Sequence, residues 1–250
     1  ADFLMLVIVD KTENTYSFLQ FNRDTMTEVA LIDHNGEGEA TANIQLCTAH
    51  WYGGNREQSC ENTVKSVKKL LGGIQIDGYY ELNMSEIPKL NNMVDGVTVT
   101  LEDDFSKKYP KMKKGATINL DDEQAYAYVH DRYGVGDEEN TSRMKRQQQY
   151  MTGFFKKLQE KVKANPNYAN EVFESLQDVS TTDITIGKIS NISNIFASGT
   201  DKGIFELAGK SKIGQALGDE IDHMEFYVNK KAMVSTMSEL FGIVEQKNKE

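Results

Sequence analysis

Several residues and patterns that define special classes of protein are scarce or missing in this sequence. Only two cysteines and three prolines occur among 250 residues, so neither a disulfide-stapled scaffold nor a proline-rich linker is predicted. The longest apolar run, residues 3–9, is far too short to cross a bilayer. The sequence also has no internal repeat and no low-complexity stretch, which is typical of an ordinary globular protein.

Familiar catalytic and nucleotide-binding motifs are missing as well. There is no GxxxxGK[ST] or GxGxxG loop for phosphates, no GxSxG nucleophile motif and no HExxH zinc motif. Cys47 and Cys60 lie thirteen positions apart and the four histidines are scattered, so we do not expect a zinc site. The simpler interpretation is two ordinary, partly buried cysteines, and the alternative is a disulfide between them.

Acidic residues outnumber basic ones. The 38 Asp and Glu against 28 Lys and Arg give a net charge of −10, which argues against the broadly basic surface of a nucleic-acid binder. This balance is compatible with a small cationic pocket. Hydrophobic residues make up 39% of the chain, enough for a chain of this length to bury a sizeable core.

Hydrophobic periodicity predicts an alternation of strands and helices. The predicted strands are residues 3–9, 16–21, 74–82, 97–101, 203–208 and 224–229. Two predicted helices are given by their start alone, near residue 59 or 62 and near residue 121 or 122. Five more are predicted over residues 85–94, 141–164, 168–178, 185–197 and 230–243. Because strands and helices interleave, the predicted class is α/β (α+β), with a single mixed central β-sheet flanked by helices on both faces.

The most informative segment is the start of the long predicted helix, residues 140–149. Residues 140–142 are all suitable N-caps, which places Arg143, Arg146 and Gln147 in the first two turns. Cations at a helix N-terminus oppose the helix dipole, and a bound anion would offset that cost. The alternative is a solvated charged face whose cations pair with the acidic residues 137–139.

Two other segments carry arginines that could join such a pocket. Arg23 and Asp24 follow directly on the strand 16–21, at a strand end where α/β proteins often place their sites. Arg132 precedes a glycine-containing loop that leads into the cationic helix. Arginine suits the bidentate recognition of phosphate, so we expect Arg23, Arg132, Arg143 and Arg146 to meet at one anion site.

The neighbours of these arginines have less certain roles. Asp24 either orients Arg23 or contacts a substrate. His130 is interpreted as a structural residue, with general acid–base chemistry as the alternative. Tyr79 and Tyr80 are interpreted as core or core-edge packing, and the alternative is that they line an apolar tunnel.

Taken in order, these motifs resemble the LytR-CpsA-Psr (LCP) family. The resemblance covers about residues 1–155, and the tail is similar to an extension seen in some Firmicutes members. It is carried by Arg23-Asp24-Thr25, by Gly53-Gly54 followed by residues 64–71, by Ile76-Asp77-Gly78-Tyr79-Tyr80, by residues 94–99 and 120–128, and by Arg132 with Arg143-x-x-Arg146-Gln147-Gln148.

The resemblance implies a function that composition does not reveal. Members are phosphotransferases that move a glycopolymer, such as teichoic acid or capsule, from a polyprenyl-pyrophosphate carrier to peptidoglycan. It implies one extracytoplasmic domain over residues 1–250, with a core of about 1–155 and an α/β extension over 156–250. It also implies a single N-terminal membrane anchor and a first core strand upstream of residue 1, on the extracellular face of a Gram-positive bacterium.

Family site residues carry over by position. The pyrophosphate-binding arginines and glutamine fall on Arg23, Arg132, Arg143, Arg146 and Gln147. One of the aspartates that hold Mg²⁺ falls on Asp2, whereas the other has no counterpart in this chain. The sequence departs from the family at His130, where an arginine is common, and at Asn140, where an aspartate is common.

These departures keep two other functions open. One is a non-catalytic module that binds polyprenyl phosphate or wall polymer, and the other is a hydrolase that cleaves the same lipid-linked pyrophosphate. The acidic composition does not favour a DNA-binding regulator, so no nucleic-acid partner is expected.

Overall fold

The computed structural model describes residues 1–38 and 40–242, in which strands and helices alternate along the chain. The strands are β1 (Leu4–Asp10), β2 (Thr15–Phe21), β3 (Met26–Ala30), β4 (Thr41–Gln45), β5 (Tyr80–Leu82), β6 (Val97–Thr100), β7 (Thr117–Leu120), β8 (Ser180–Thr182), β9 (Thr200–Glu206), β10 (Gly209–Gly214) and β11 (His223–Val228). The α-helices are α1 (Arg56–Leu70), α2 (Ile87–Met93), α3 (Asp122–His130), α4 (Asn140–Ala164), α5 (Tyr168–Ser175), α6 (Ile186–Ser198) and α7 (Lys230–Phe241).

The predicted mixed α/β class is confirmed, but the single central sheet is wrong. The described strands form one three-stranded sheet, β1-β2-β9, and four two-stranded sheets, β3-β4, β5-β8, β6-β7 and β10-β11. The turn after β2 interrupts the ladder before β3 begins, and β11 reaches that region through one isolated bridge between Thr25 and Phe226. Periodicity predicts where a strand lies, but the partner of each strand depends on packing between distant segments.

Some predicted boundaries also change. Only the last three residues of the predicted strand 74–82 form a strand, because their partner β8 is itself three residues long. Ile74 and Ile76 pack instead against an apolar core cluster. Strands β3, β4, β7, β8 and β10 are not predicted by the hydrophobic pattern. The last helix ends at Phe241 with Gly242 in the left-handed conformation, and Ile243 lies outside the described residues.

Side-chain caps explain where two helices begin. Asn55 accepts a hydrogen bond from the backbone N–H of Gln58, so α1 starts three residues before the earliest predicted position. Asp121 and Gln124 form a reciprocal capping box at α3, as the prediction of a cap at residue 121 or 122 required.

Strand β2 is the buried centre of the three-stranded sheet. It pairs antiparallel with β1 on one side and parallel with β9 on the other, and every residue after Thr15 is buried. The ring of Phe18 stacks on Phe155 of α4 with centroids 4.1 Å apart. The sheet therefore fixes the end of β2 against the long helix.

The two cysteines are free and both are buried, so the alternative of a disulfide is wrong. None of the helices within residues 1–38 and 40–242 combines the length and the apolar character that a membrane span requires.

Replacing Phe18 by alanine tests the contact between β2 and α4. Phe18 is 2% exposed, so we expect Phe18→Ala to lower the free energy of unfolding by about 3–5 kcal/mol. Val7 pairs with Phe18 across the sheet but is 51% exposed, so Val7→Ala serves as the control and should change stability by about 0.5 kcal/mol or less. Denaturant unfolding measures both, and equal effects would contradict this packing.

Candidate anion-binding site

The candidate site lies where the end of β2 meets the start of α4. Asn140, the first residue of α4, is buried and donates from Nδ2 to Asn22 Oδ1 at 3.1 Å and to Asp24 Oδ2 at 3.3 Å. Asn22 Oδ1 also accepts the backbone N–H of Asp24 at 2.9 Å. Asn140 therefore ties the helix start to the turn after the strand, with an uncharged side chain where the family commonly has an aspartate.

Arg143 is buried behind this junction. It is 5% exposed, donates from Nη2 to Asn140 Oδ1 at 2.8 Å, and has Nη1 3.6 Å from Asp2 Oδ1. Its Nε is buried and has no hydrogen-bond partner among the described residues. Burial lowers the pKa of Arg143, Asp2 opposes that effect, and Arg23 lowers the pKa further. A buried arginine with an unpaired N–H stabilises a nearby anion.

Arg23 reaches the same place from the strand end. It forms an ion pair with Asp2, and its Nε lies 3.7 Å from Asp24 Oδ1. Burial alone lowers the pKa of Arg23, but Cys47 and Asp2 outweigh burial, so the pKa is raised. Asp2 therefore lies between two arginines, and its role as a Mg²⁺ ligand stays a prediction.

Asp24 is the carboxylate that burial affects most in this cluster. Burial raises its pKa, and the positive charges of Arg23, Arg143 and Arg132 offset only part of that effect. The positive charge of Arg132 lowers the pKa of both Asp24 and Arg143. The Arg132 guanidinium lies 4.7 Å from the ring centroid of the exposed Tyr133 and donates to the Tyr133 hydroxyl at 2.6 Å.

Arg146 contacts different residues from Arg23 and Arg143, and it donates hydrogen bonds to the segment that precedes Arg132. Its Nε donates to the carbonyl of Tyr128 at 3.0 Å, Nη1 to Asp103 at 2.5 Å and Nη2 to the carbonyl of Asp131 at 2.5 Å. With all three nitrogens engaged, Arg146 positions the backbone here, and its direct role in pyrophosphate binding stays a prediction. The structure also excludes the solvated-face alternative for the arginines of this helix, because Arg146 is 1% exposed.

Gln147 acts on the same segment. Its Nε2 donates to the carbonyl of Val129 at 3.0 Å, and its Oε1 accepts from Gln20 of β2 at 3.2 Å. Gln147 thus joins the buried strand to the end of α3.

His130 and the two tyrosines occupy packing positions. His130 stacks on Tyr126 with ring centroids 4.7 Å apart, and its Nδ1 lies 3.2 Å from Asp131 Oδ1. Tyr80 packs on Phe173 at 5.9 Å between centroids. The adjacent Tyr79 is held by its backbone N–H, which donates to an aspartate before α6. A lipid-tunnel role for the tyrosines stays a prediction.

Sequence reasoning missed Asn22, Gln20 and Asp103. A polar residue inside a strand, such as Gln20, is the one signal that could have been used, because a buried amide needs a partner. Asp103 stands in an acidic turn with no distinctive spacing. Gly136, which has φ of +56°, allows the Asp103 carboxylate to approach the backbone, since a Cβ at residue 136 would collide with that carboxylate.

The residues of the cluster fit the Mg²⁺ ion that the family resemblance implies. Mg²⁺ is usually held by one or two carboxylates together with substrate phosphates. The side chain of Asp2 is 36% exposed, and both of its arginine contacts use Oδ1. Asp24, whose side chain is 14% exposed, is the other carboxylate of the cluster, and a cation beside it would stabilise the anion against the burial that raises its pKa.

The described geometry is that of a mixed α/β protein in which Arg23 and Arg143 share Asp2 beside the start of the long helix α4. Residues 1–241 match the profile of the LytR_cpsA_psr family, and the chain belongs to that family.

Comparisons with individual proteins agree with this assignment. Over 157 residues, 63% of this chain, it is 29% identical to the polyisoprenyl-teichoic acid–peptidoglycan teichoic acid transferase TagU of Bacillus cereus, and it spans about half of that protein, 46%. The structure of B. subtilis TagT superposes with a TM-score of 0.67 at 22% identity, over 96% of this chain and 84% of that one. A structure from Streptococcus agalactiae gives 0.74 at 21% identity, over 96% and 78%.

The distinct roles of Arg146 and Arg132 can be separated by stability. Arg146→Gln leaves the Asp103 carboxylate without its partner, so we expect the free energy of unfolding to fall by about 3–5 kcal/mol. Arg146→Lys should rescue little of this, because lysine has no guanidinium fork. Arg132→Gln is the matched control, at a half-exposed position, and should cost about 1 kcal/mol or less. Similar losses in denaturant unfolding would contradict the assignment.

The pKa of Asp24 provides a test of the electrostatics. We expect it above the ordinary aspartate value, and higher still in Arg143→Gln, because that arginine lowers it. A carboxyl group whose pKa is higher in the folded protein than in the unfolded chain stabilises the fold fully at a pH below its unfolded pKa, and this stabilisation is lost as the pH rises through its folded pKa. Asp24→Asn should therefore reduce the dependence of the free energy of unfolding on pH between those two pKa values.

Carboxyl NMR titration measures this pKa directly. Asp33, whose pKa is lowered by hydrogen bonds from the backbone of Glu37 and Asn35, should not respond to Arg143→Gln and is the internal control. An Asp24 pKa at or below the ordinary value would contradict the described burial.

Proposed function

We propose that this protein is a phosphotransferase that moves a glycopolymer from a polyprenyl-pyrophosphate carrier to peptidoglycan. The observation that carries the proposal is the buried Arg143, whose Nε has no partner among the described residues and whose guanidinium shares Asp2 with Arg23. Because the single carboxylate of Asp2 faces two arginines and Arg143 keeps an unused N–H donor, this arginine cluster would stabilise a further anion. A pyrophosphate carries the charge and the oxygen acceptors that fit it.

The printed names of relatives support this substrate class. TagU is named as a transferase of teichoic acid from a polyisoprenyl carrier to peptidoglycan, and one structure of TagT is bound to a ligand called LIIa-WTA. We extend that chemistry to this chain as a proposal, since it spans only part of TagU. We likewise propose that an N-terminal anchor holds it at the extracellular face of a Gram-positive membrane.

The proposed reaction follows from the charges in the pocket. An acceptor hydroxyl forms a bond to the sugar-side phosphorus and releases its proton to solvent, and the bond from that phosphorus to the polyprenyl phosphate breaks. Arg143 and Arg23 bind the phosphoryl oxygens and stabilise the charge that develops on them. Arg132, at the half-buried position beside Tyr133, orients the outer phosphate. Mg²⁺, held by Asp2 and Asp24 when bound, would supply further charge neutralisation.

Polar residues behind the pocket keep these arginines in place. Asn140 holds Arg143 through its oxygen and the β2 turn through its nitrogen. Arg146 and Gln147 hold residues 128–131, from which Arg132 continues. The arginines therefore need little rearrangement when the substrate arrives, which is the condition for strong electrostatic stabilisation.

The decisive measurement is transfer of a polyprenyl-pyrophosphate-linked glycan to peptidoglycan with Mg²⁺ present. Arg143→Ala should lower the rate on the order of 10²–10³-fold, the usual loss for one preorganised donor at a developing anion. Lys145 is an exposed cation on the same helix, so Lys145→Gln is the matched control for net charge and should keep normal activity.

Product analysis with and without acceptor separates the alternatives. Release of free polymer at the same rate in both reactions would support the hydrolase. Binding of polyprenyl phosphate without any product would support the non-catalytic module. An Arg143→Ala variant as active as the unaltered protein would contradict the proposed pocket.

A further inference from the structure

Three potential metal ligands from three different elements lie close together. His50 belongs to the 3₁₀ helix Leu46–Trp51, Cys60 to α1 and Glu81 to β5. One ligand atom from each lies within 4.8 Å of the other two, and Cys60 Sγ is 3.9 Å from His50 Nε2. Within the described ranges, this is the one group of three or more such residues at that spacing.

The donor set selects the kind of ion. A thiolate sulfur, an imidazole nitrogen and a carboxylate oxygen together suit Zn²⁺, which binds sulfur at about 2.3 Å and nitrogen or oxygen at about 2.0–2.2 Å. A hard ion such as Mg²⁺ prefers oxygen alone. Small side-chain movements would bring the three atoms onto one tetrahedral centre, because they already lie within 4.8 Å of one another.

The ligands are supported by regular structure and by a neighbouring charge. Cys60 is buried in the second turn of α1, whose first turn is capped by Asn55. Arg56 Nη2 lies 2.5 Å from Glu81 Oε2, which orients the carboxylate and leaves its other oxygen for an ion. Partners of this kind fix the first ligands of a metal site.

We propose that His50, Cys60 and Glu81 bind Zn²⁺, with the fourth position open to water. On binding, the Cys60 thiol releases its proton to solvent as the Zn–S bond forms, and no electron is transferred. Sequence spacing gave no indication of the site, because its ligands are 10 and 21 positions apart and on three elements.

The site would also brace the anion pocket. The 3₁₀ helix that carries His50 begins beside the β2 turn, where the Cys47 N–H donates to the carbonyl of Arg23 at 2.9 Å. An ion bound at His50 would therefore join α1 and β5 to the helix that supports Arg23. This proposal is independent of the phosphotransferase function.

Cobalt titration of the reduced, metal-free protein tests the proposal. Co²⁺ replaces Zn²⁺ at such sites, and a thiolate ligand gives a charge-transfer absorption band. We expect the band in the unaltered protein, its loss on addition of Zn²⁺, and its absence in Cys60→Ser. Cys47→Ser is the matched control: it removes the other buried cysteine and should keep the band.

A second variant covers the case in which Cys60→Ser does not fold. Glu81→Gln, at a half-buried position, should weaken Zn²⁺ binding by at least about tenfold, since even outer partners of metal ligands contribute about 10–100-fold. Circular dichroism confirms that each variant is folded. No band in the unaltered protein, a band that persists in folded Cys60→Ser, or unchanged affinity in Glu81→Gln would each overturn the proposal.

Discussion

The structure depends on how the first turns of α4 are buried. A helix N-terminus disfavours cations, yet Arg143 and Arg146 are both buried there. The two are stabilised differently: Arg146 by two backbone carbonyls and Asp103, and Arg143 by Asn140 and Asp2. Arg146, whose nitrogens all have hydrogen-bond partners, fixes the backbone. Arg143, whose Nε has none among the described residues, remains available to an anion.

The same interactions explain why a protein with a net charge of −10 can contain a cationic site. Net charge describes the whole surface, whereas the field inside a pocket depends on a few groups at short range in a medium of lower polarity. Asp2 and Asp24 then have a double effect. They reduce repulsion among the arginines, and they are the two carboxylates that our proposal assigns to Mg²⁺.

The sequence predicted the elements that carry the arginines better than the contacts that those arginines make. Strand β2, the long helix α4 and the arginines near both were predictable, because periodicity is a local property. None of the predicted cap residues 140–142 caps the helix, because α4 begins at Asn140 after Glu139 and has no side-chain cap. The hydrogen bonds of Arg146 to residues 128–131 were not predictable, because they depend on the positions of two backbone carbonyl groups in the folded chain. The fragmented sheets and the His50–Cys60–Glu81 group were missed for the same reason: each is defined by partners far apart in the chain.

The parallel pairing of β2 with β9 has a consequence for how this protein folds. Residues 15–20 and 200–206 form one ladder although some 180 positions separate them in the chain. Closing so long a loop costs entropy before any contact repays it, so contacts of this kind form late and slow the folding of a domain. The sheet around the strand that leads to Arg23 is thus completed only after residue 206 has been synthesised.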